Sequence, residues 1–268
     1  MNKLDEQILR AYFKLEEYQG QRLRFERLLH PEKFKWSGPT PTLSQTKKIR
    51  IEELGKIGFG EAFYQKMAAG EQEAKKELED LAENHPLWAY IEPIHGFARY
   101  LAGAFIAAGG DIERPPTCSA FWKGMGLDVL ADGTVPRRTR GAKIARRIPA
   151  FPHVTRIGEQ IRQQMLRQND FYQELYHLHK ADYRERYPEK ALMFAHKHGL
   201  RIAQKILYSA LWEKWREACG LPAPFPYVFD ILKHDSGRRI TIEDFYRKKP
   251  GTRGNSKPGR ASLSGKQT

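Results

Sequence analysis

The chain has 268 residues, enough for one large domain or two small ones around a buried core. An apolar fraction of 40% with 5 Trp, 12 Tyr and 14 Phe excludes a disordered chain, and no apolar run approaches the roughly 20 residues that a membrane span requires. Lys plus Arg outnumber Asp plus Glu by 46 to 32, and the resulting charge of +14 asks for an anionic partner.

Valine occurs only four times, at 129, 135, 154 and 228. A large parallel sheet needs many β-branched residues, so the expected fold is mostly α-helical. The two cysteines, Cys118 and Cys219, are too far apart in sequence for a metal knuckle and fit a reducing compartment. The first residues, Met1 to Glu6, turn polar and acidic at once, which is not the start of a signal peptide. A cytoplasmic location without membrane contact is the corresponding expectation.

In chain order, Leu4, Ile8, Tyr12, Leu15 and Tyr18 recur at helical spacing and predict an amphipathic helix over 3–30, ended by His30-Pro31. Residues 31–44 read as a loop. Gly55, Gly58 and Gly60 mark a second break, and no strand precedes them to make a dinucleotide fingerprint. The Ala-, Glu- and Lys-rich stretch 61–84 predicts another helix. The region 1–85 is therefore expected to be a helical linker, paired as a coiled coil or dimer arm, through which the chain self-associates.

Two short helices are predicted within 86–108, joined by Ile94-His95-Gly96-Phe97-Ala98. This is the pattern of a helix–hairpin–helix, in which glycine lets the backbone and the first amides of the second helix approach a phosphate. Gly96, Phe97, Ala98 and Arg99 are the candidate contacts. An ordinary helical hairpin with a glycine turn has the same pattern.

Thr117 is placed to cap a short helix through Met125. Asp132-Gly133 between short apolar flanks signals a small β-hairpin. Three further helices are predicted over about 154–168, 170–186 and 189–218, the last with a broad apolar stripe through Trp212 and Trp215. A short helix over 227–234 and a disordered basic tail over 246–268 complete the reading, with a helical domain over 86–245.

The excess charge is localised. Residues 133–158 contain seven basic residues and no acid: Arg137, Arg138, Arg140, Lys143, Arg146, Arg147 and Arg156. Residues 245–268 contain seven more and again no acid, so the rest of the chain is formally neutral. Arg137, Arg138, Arg140, Lys143, Arg146 and Arg147 are the second set of candidate nucleic-acid contacts, binding phosphates through counterion release.

No metal, cofactor or catalytic motif emerges. His177 and His179, like His196 and His198, are two apart, and such pairs do not share a helix face. There is no Walker loop, Gly-x-Ser-x-Gly or His-Glu-x-x-His. The acids mix with Lys and Arg as solvated faces do.

The blocks Pro93–Ala98, Ala104–Asp111 and Ser119–Leu127, followed by Arg137-Arg138-Thr139-Arg140-Gly141, resemble in order the C-terminal helix–hairpin–helix domain of the insertion-sequence one-hundred-ten / one-hundred-sixteen class of transposases. The helix Lys197–Trp215, with Arg201 and Lys205, resembles the closing helix of that domain. The resemblance implies a nucleic-acid-binding scaffold. It has two departures. The 86 residues before the hairpin read as helical and contain no valine, so the family's N-terminal RuvC-like acidic domain is not expected. Where the family has a nucleophilic serine before a glycine, this chain has Asp132, which cannot attack a phosphodiester as a serine does.

The leading expectation is a transposase-like protein that binds DNA or structured RNA without strand-cleaving chemistry of its own. A second reading is an active transposase or recombinase working with a partner chain that supplies the RuvC-like acids. A third is a helical scaffold whose basic tail only solubilises.

Overall fold

The computed structural model describes residues 3–29, 59–128, 152–224 and 240–246. The expected loop at 31–44, the β-hairpin at Asp132-Gly133, the arginine-rich segment 137–147, the short helix at 227–234 and the tail beyond Tyr246 lie outside the described residues. Among the described residues the fold is mostly α-helical, with eight α-helices and one short 3-10 turn, and the only β pairing is a single antiparallel bridge between Ile94 and Tyr246.

Helix α1 (Lys3–Leu29) and helix α2 (Phe59–Glu83) pack antiparallel. Lys14 pairs with Glu77 at 2.7 Å and Arg22 with Glu71 at 2.5 Å, so partner numbers fall along α2 as they rise along α1. The stripe Ile8, Tyr12 and Leu15, which the sequence reading gave to a coiled-coil pair or a dimer arm, is buried within the chain together with Ala74, Leu78 and Ala82 of α2.

Pro86 and Leu87 lead into α3 (Trp88–Ile91), a single turn. The sequence pattern suggested a longer helix. Pro93 has no N–H to give Ala89, so the ladder stops before it, and the Ile94 N–H instead bonds the Ile91 carbonyl at 2.9 Å. Helix α4 (Arg99–Gly109) follows and is the centre of the molecule. Every residue from Leu101 to Ala107 is buried, so this helix is covered on all sides. Its small residues permit that. A Cβ added at Gly103 would stand 2.6 Å from Leu78 Cγ, which sets how closely α2 and α4 approach.

Helix α5 (Cys118–Gly124) is capped by Thr117, whose hydroxyl accepts from the Ala120 amide at 3.2 Å, as the sequence predicts. Helix α6 (Pro152–Gln168) and helix α7 (Asp170–Arg186) are separated only by Asn169. Helix α8 (Leu192–Ala218) closes the bundle, burying Leu207, Tyr208, Leu211, Trp212 and Trp215. Phe105 of α4 is the hub of the aromatic core, with ring centroids 5.1 Å from Tyr208 and 6.1 Å from both Phe121 and Trp215.

Buried polar groups tie the layers together. The Leu87 amide donates to His85 Nδ1 at 3.1 Å, which assigns the ring proton to Nε2, and that atom lies 3.2 Å from the buried Asp5 carboxylate. The start of α1 is thereby held to the end of α2. Arg216, only 5% exposed, directs its guanidinium to the carbonyls of Ile112, Pro115 and Pro222 at 2.9, 3.2 and 2.6 Å.

Because Leu78 is fully buried between α1 and α4, Leu78→Ala should lower the unfolding free energy by about 3 kcal/mol. Chemical denaturation checks this as a shifted midpoint with an unchanged slope.

Candidate nucleic-acid interface

The hairpin singled out in the sequence shapes a groove of about 740 Å³. Its walls come from His95 to Arg99, from Trp88 and Glu92 before them, from Gln164 and Gln168 of α6, and from Tyr246. Gly96 has φ +87°, a conformation that side chains other than glycine's adopt only with strain. A Cβ there would also stand 2.8 Å from Gln168 Cβ. The glycine is thus required twice, by the turn and by the close approach of α6.

The remaining hairpin residues have distinct placements. Ala98 is the N-cap of α4 in extended conformation, and no side chain caps the amides of that first turn. Phe97 turns its ring towards the core, 6.2 Å from Phe105, which leaves little of it for a ligand. Arg99 is exposed and pairs with Glu83 at 2.7 Å. The groove therefore carries one arginine, already paired, and one acid, Glu92. Hydrogen-bonding amides dominate its chemistry over charge.

One residue holds this arrangement, and the sequence reading did not single it out. Asn169 is 2% exposed and uses both ends of its side-chain amide. Its oxygen accepts from the Tyr172 amide at 2.9 Å and caps α7. Its nitrogen donates to the His95 carbonyl and to the Phe245 carbonyl, each at 2.9 Å. The second bond anchors the 3-10 turn Ile242–Phe245, closed by a capping box between Thr241 and Asp244. Phe245 is fully buried, its ring 5.0 Å from Phe171.

A second cluster lies where α6 packs on α8. Gln204 donates to the Gly158 carbonyl at 3.1 Å and to the Tyr208 hydroxyl at 3.0 Å. Arg162 sits one turn past Gly158, and Arg201 and Lys205 bracket Gln204, so three cations share this contact. Arg162 is paired with Glu159. Arg201 donates to the Asp128 backbone carbonyl, and its Nε, like that of Arg162, is buried without a partner. Lys205 places its ammonium 4.7 Å from the centre of the Trp122 ring. Neither Arg201 nor Lys205 forms an ion pair among the described residues.

The charges are held at a cost. Burial, and then the neighbouring Arg201, pushes the Lys205 ammonium down to about 8, against opposing pulls from Asp128 and Cys118. Burial and then Arg162 lower Arg201 in the same way. The imidazole of His198, one turn before Arg201 and two before Lys205, is lowered chiefly by burial, with Arg186, Arg201 and Lys205 adding to it against the pull of Asp182.

His196, His198 and Cys118 make contacts within the bundle. His196 shares a hydrogen bond of 2.8 Å with the Tyr176 hydroxyl, and His198 stacks 4.7 Å from Tyr183. Burial pushes the Cys118 thiol up to about 12, and it donates to Ser209 Oγ at 3.2 Å. Among the described residues no group of His, Cys, Asp and Glu is placed to hold a metal ion, and no helix is long and apolar enough to cross a membrane.

Of the sequence-predicted contacts, Gly96, Phe97, Ala98 and Arg99 meet in the hairpin, whereas Arg137, Arg138, Arg140, Lys143, Arg146 and Arg147 lie outside the described residues. Arg156, counted with the same basic stretch, is spent on an ion pair with Glu16 of α1. Comparison with known protein families, with curated proteins and with solved structures gives no match.

Two predictions follow from these geometries. Asn169→Ala removes a cap and leaves the buried Phe245 carbonyl and the part-buried His95 carbonyl short of a donor, for an expected loss of about 2–3 kcal/mol in chemical denaturation. Asn169→Asp keeps the cap oxygen but sets a carboxylate against both carbonyls, so it too should be destabilised at neutral pH. For Lys205, the unfolded chain holds the proton up to about 10.5 and the folded chain only to about 8. Folded wild type therefore gains stability as pH rises through that window. Lys205→Met, without the buried charge, should melt above wild type at pH 7, and the difference should shrink as the pH approaches 10.

Proposed function

We propose that this chain is a nucleic-acid-binding protein related to insertion-sequence transposases, without strand-cleaving chemistry of its own. Its ligand is duplex DNA or structured RNA, engaged through the hairpin at Gly96–Arg99 and the segment Arg137–Arg147. The observation that carries the reading is where the chain leaves its helical body. Arg201 holds the carbonyl of Asp128, the last described residue before the arginine-rich segment, and the neighbouring Lys205 ammonium forms no ion pair among the described residues. The chain therefore leaves the described bundle towards the arginine-rich segment from a point beside two cations, and both sets of charges would attract a phosphate backbone.

The hairpin has a different part in this reading. Its groove offers uncapped α4 amides and the glutamine side chains of α6. Such groups fix the register of a backbone while the cations supply affinity. Self-association belongs to the same proposal. The inner face of α1 is already buried, so it would use the outer face, where Phe13 and Leu23 are exposed. A RuvC-like partner chain is the route by which recombination chemistry would be added.

Changing Arg137, Arg138 and Arg140 together to Ala should weaken binding to duplex DNA and reduce the slope of log affinity against log salt by about 3. Fluorescence anisotropy across a salt series measures both. Unchanged affinity and slope would remove this segment from the interface.

A further inference from the structure

The cluster on α6 and α8 is an arrangement with something missing. Gln204 joins α8 to α6 at Gly158, and beside this contact the charge of Arg162 acts on Arg201 and that of Arg201 on Lys205; among the described residues only Arg162 has an acid partner within ion-pair distance. Two guanidinium Nε donors there are buried without an acceptor. Arg216, buried elsewhere in the same fold, has its Nε and one Nη bonded to three carbonyls and no buried nitrogen left without a partner. Like charges brought together in a partly desolvated site repel, and a folded chain gains from this only when an anion completes the set.

The geometry points to an anion subsite in which Arg162, Arg201 and Lys205 receive the non-bridging oxygens of one phosphate group. The residue types suit that task. Two planar guanidinium groups present forked donors to phosphate oxygens, and a lysine supplies a mobile point charge. Trp122 fixes the lysine stem through its ring contact and through its indole N–H, which donates to the Lys205 carbonyl at 3.2 Å. The charged and titratable groups that act on Lys205 among the described residues are Arg201 on its own helix, Asp128 before the basic segment, and the neutral Cys118 thiol from α5. Assigning the phosphate to a nucleic-acid backbone rests on the function proposed above; the subsite itself requires only the phosphate.

The test uses the full chain with inorganic phosphate and a short DNA duplex as separate probes, and Lys205→Met and Arg201→Gln as variants. Phosphate should raise the melting temperature of wild type above that in chloride at matched ionic strength, and both variants should lose the shift. Lys205→Met should remain folded and melt higher than wild type in chloride, so loss of the shift is not loss of structure. Both variants should also bind duplex more weakly, with a salt slope reduced by about 1 each. A phosphate shift lost in the variants, with no duplex binding by any form, keeps the subsite and overturns the nucleic-acid reading. Phosphate shifts and duplex affinities that match wild type in both variants overturn the subsite and leave that reading standing.

Discussion

The side-chain amide of Asn169 is the constraint on which the candidate interface depends. One planar group, without freedom to rotate, joins the start of α7, the hairpin before α4 and the chain returning at 240–246. These segments are more than 70 residues apart in sequence. Without the amide the Phe245 carbonyl would be an unsatisfied buried acceptor and the part-buried His95 carbonyl would lose its donor, and a buried acceptor costs more to leave unpaired than its hydrogen bond gains in water. The amide therefore specifies more than it stabilises. Its two N–H vectors fix where the hairpin stands relative to α6, and that distance is what leaves no room for a Cβ at Gly96.

The helical body treats its charges in two ways, and the contrast is informative. Lys14, Arg22, Arg99 and Arg156 meet carboxylates across helices, and Arg216 meets carbonyls. Those residues are structural cross-links, and their charge is neutralised or hydrogen-bonded in place. Arg201 has a single carbonyl, that of Asp128, with its Nε left without an acceptor, and Lys205 has the ring of Trp122 and no ion pair among the described residues. They lie on the most buried helix after α4, one turn apart on one face, which is where a fold selected only for stability would put apolar residues or an acid. The nearly neutral hairpin groove and this cationic contact are both built on α6, through Gln164 and Gln168 towards the first and Gly158 and Arg162 towards the second.

Much of the helical framework was legible because its signals are local. Thr117 three residues before the Ala120 amide, the heptad-like spacing of Ile8, Tyr12 and Leu15, and the apolar stripe through Trp212 and Trp215 all act within a turn or two. Gly96 was legible as a turn residue for the same reason. The first helix of the hairpin was overextended because the apolar spacing of Leu87, Trp88, Ile91 and Ile94 outlasts the backbone ladder that Pro93 interrupts. Asn169 left only a weak trace, an Asn before Asp170 at a predicted helix start. That trace announces the cap and says nothing of His95 or Phe245. The meeting of Arg162 with Arg201 and Lys205 was not legible, because it depends on Gly158 admitting Gln204 across an interface that no single helix encodes.

Those residues also explain how a bundle can be rigid and still receptive to an anion. The like charges stay together because the backbone around them is over-determined. Gln204 locks α6 to α8, Trp122 locks α5 to the Lys205 carbonyl, and Ser209 bonds that same carbonyl at 2.7 Å while accepting from Cys118. The helices cannot swing apart to relieve the repulsion. Burial first, and then the charge of Arg201, favour loss of the Lys205 proton and bring its ammonium down to about 8 from 10.5. A group held at that point is sensitive to what arrives. An anion beside it restores the proton's stability, so binding and protonation strengthen each other by the same free energy. Preorganised donors that need no further rearrangement lose little on binding, and the cost has already been met by the packing of α5, α6 and α8.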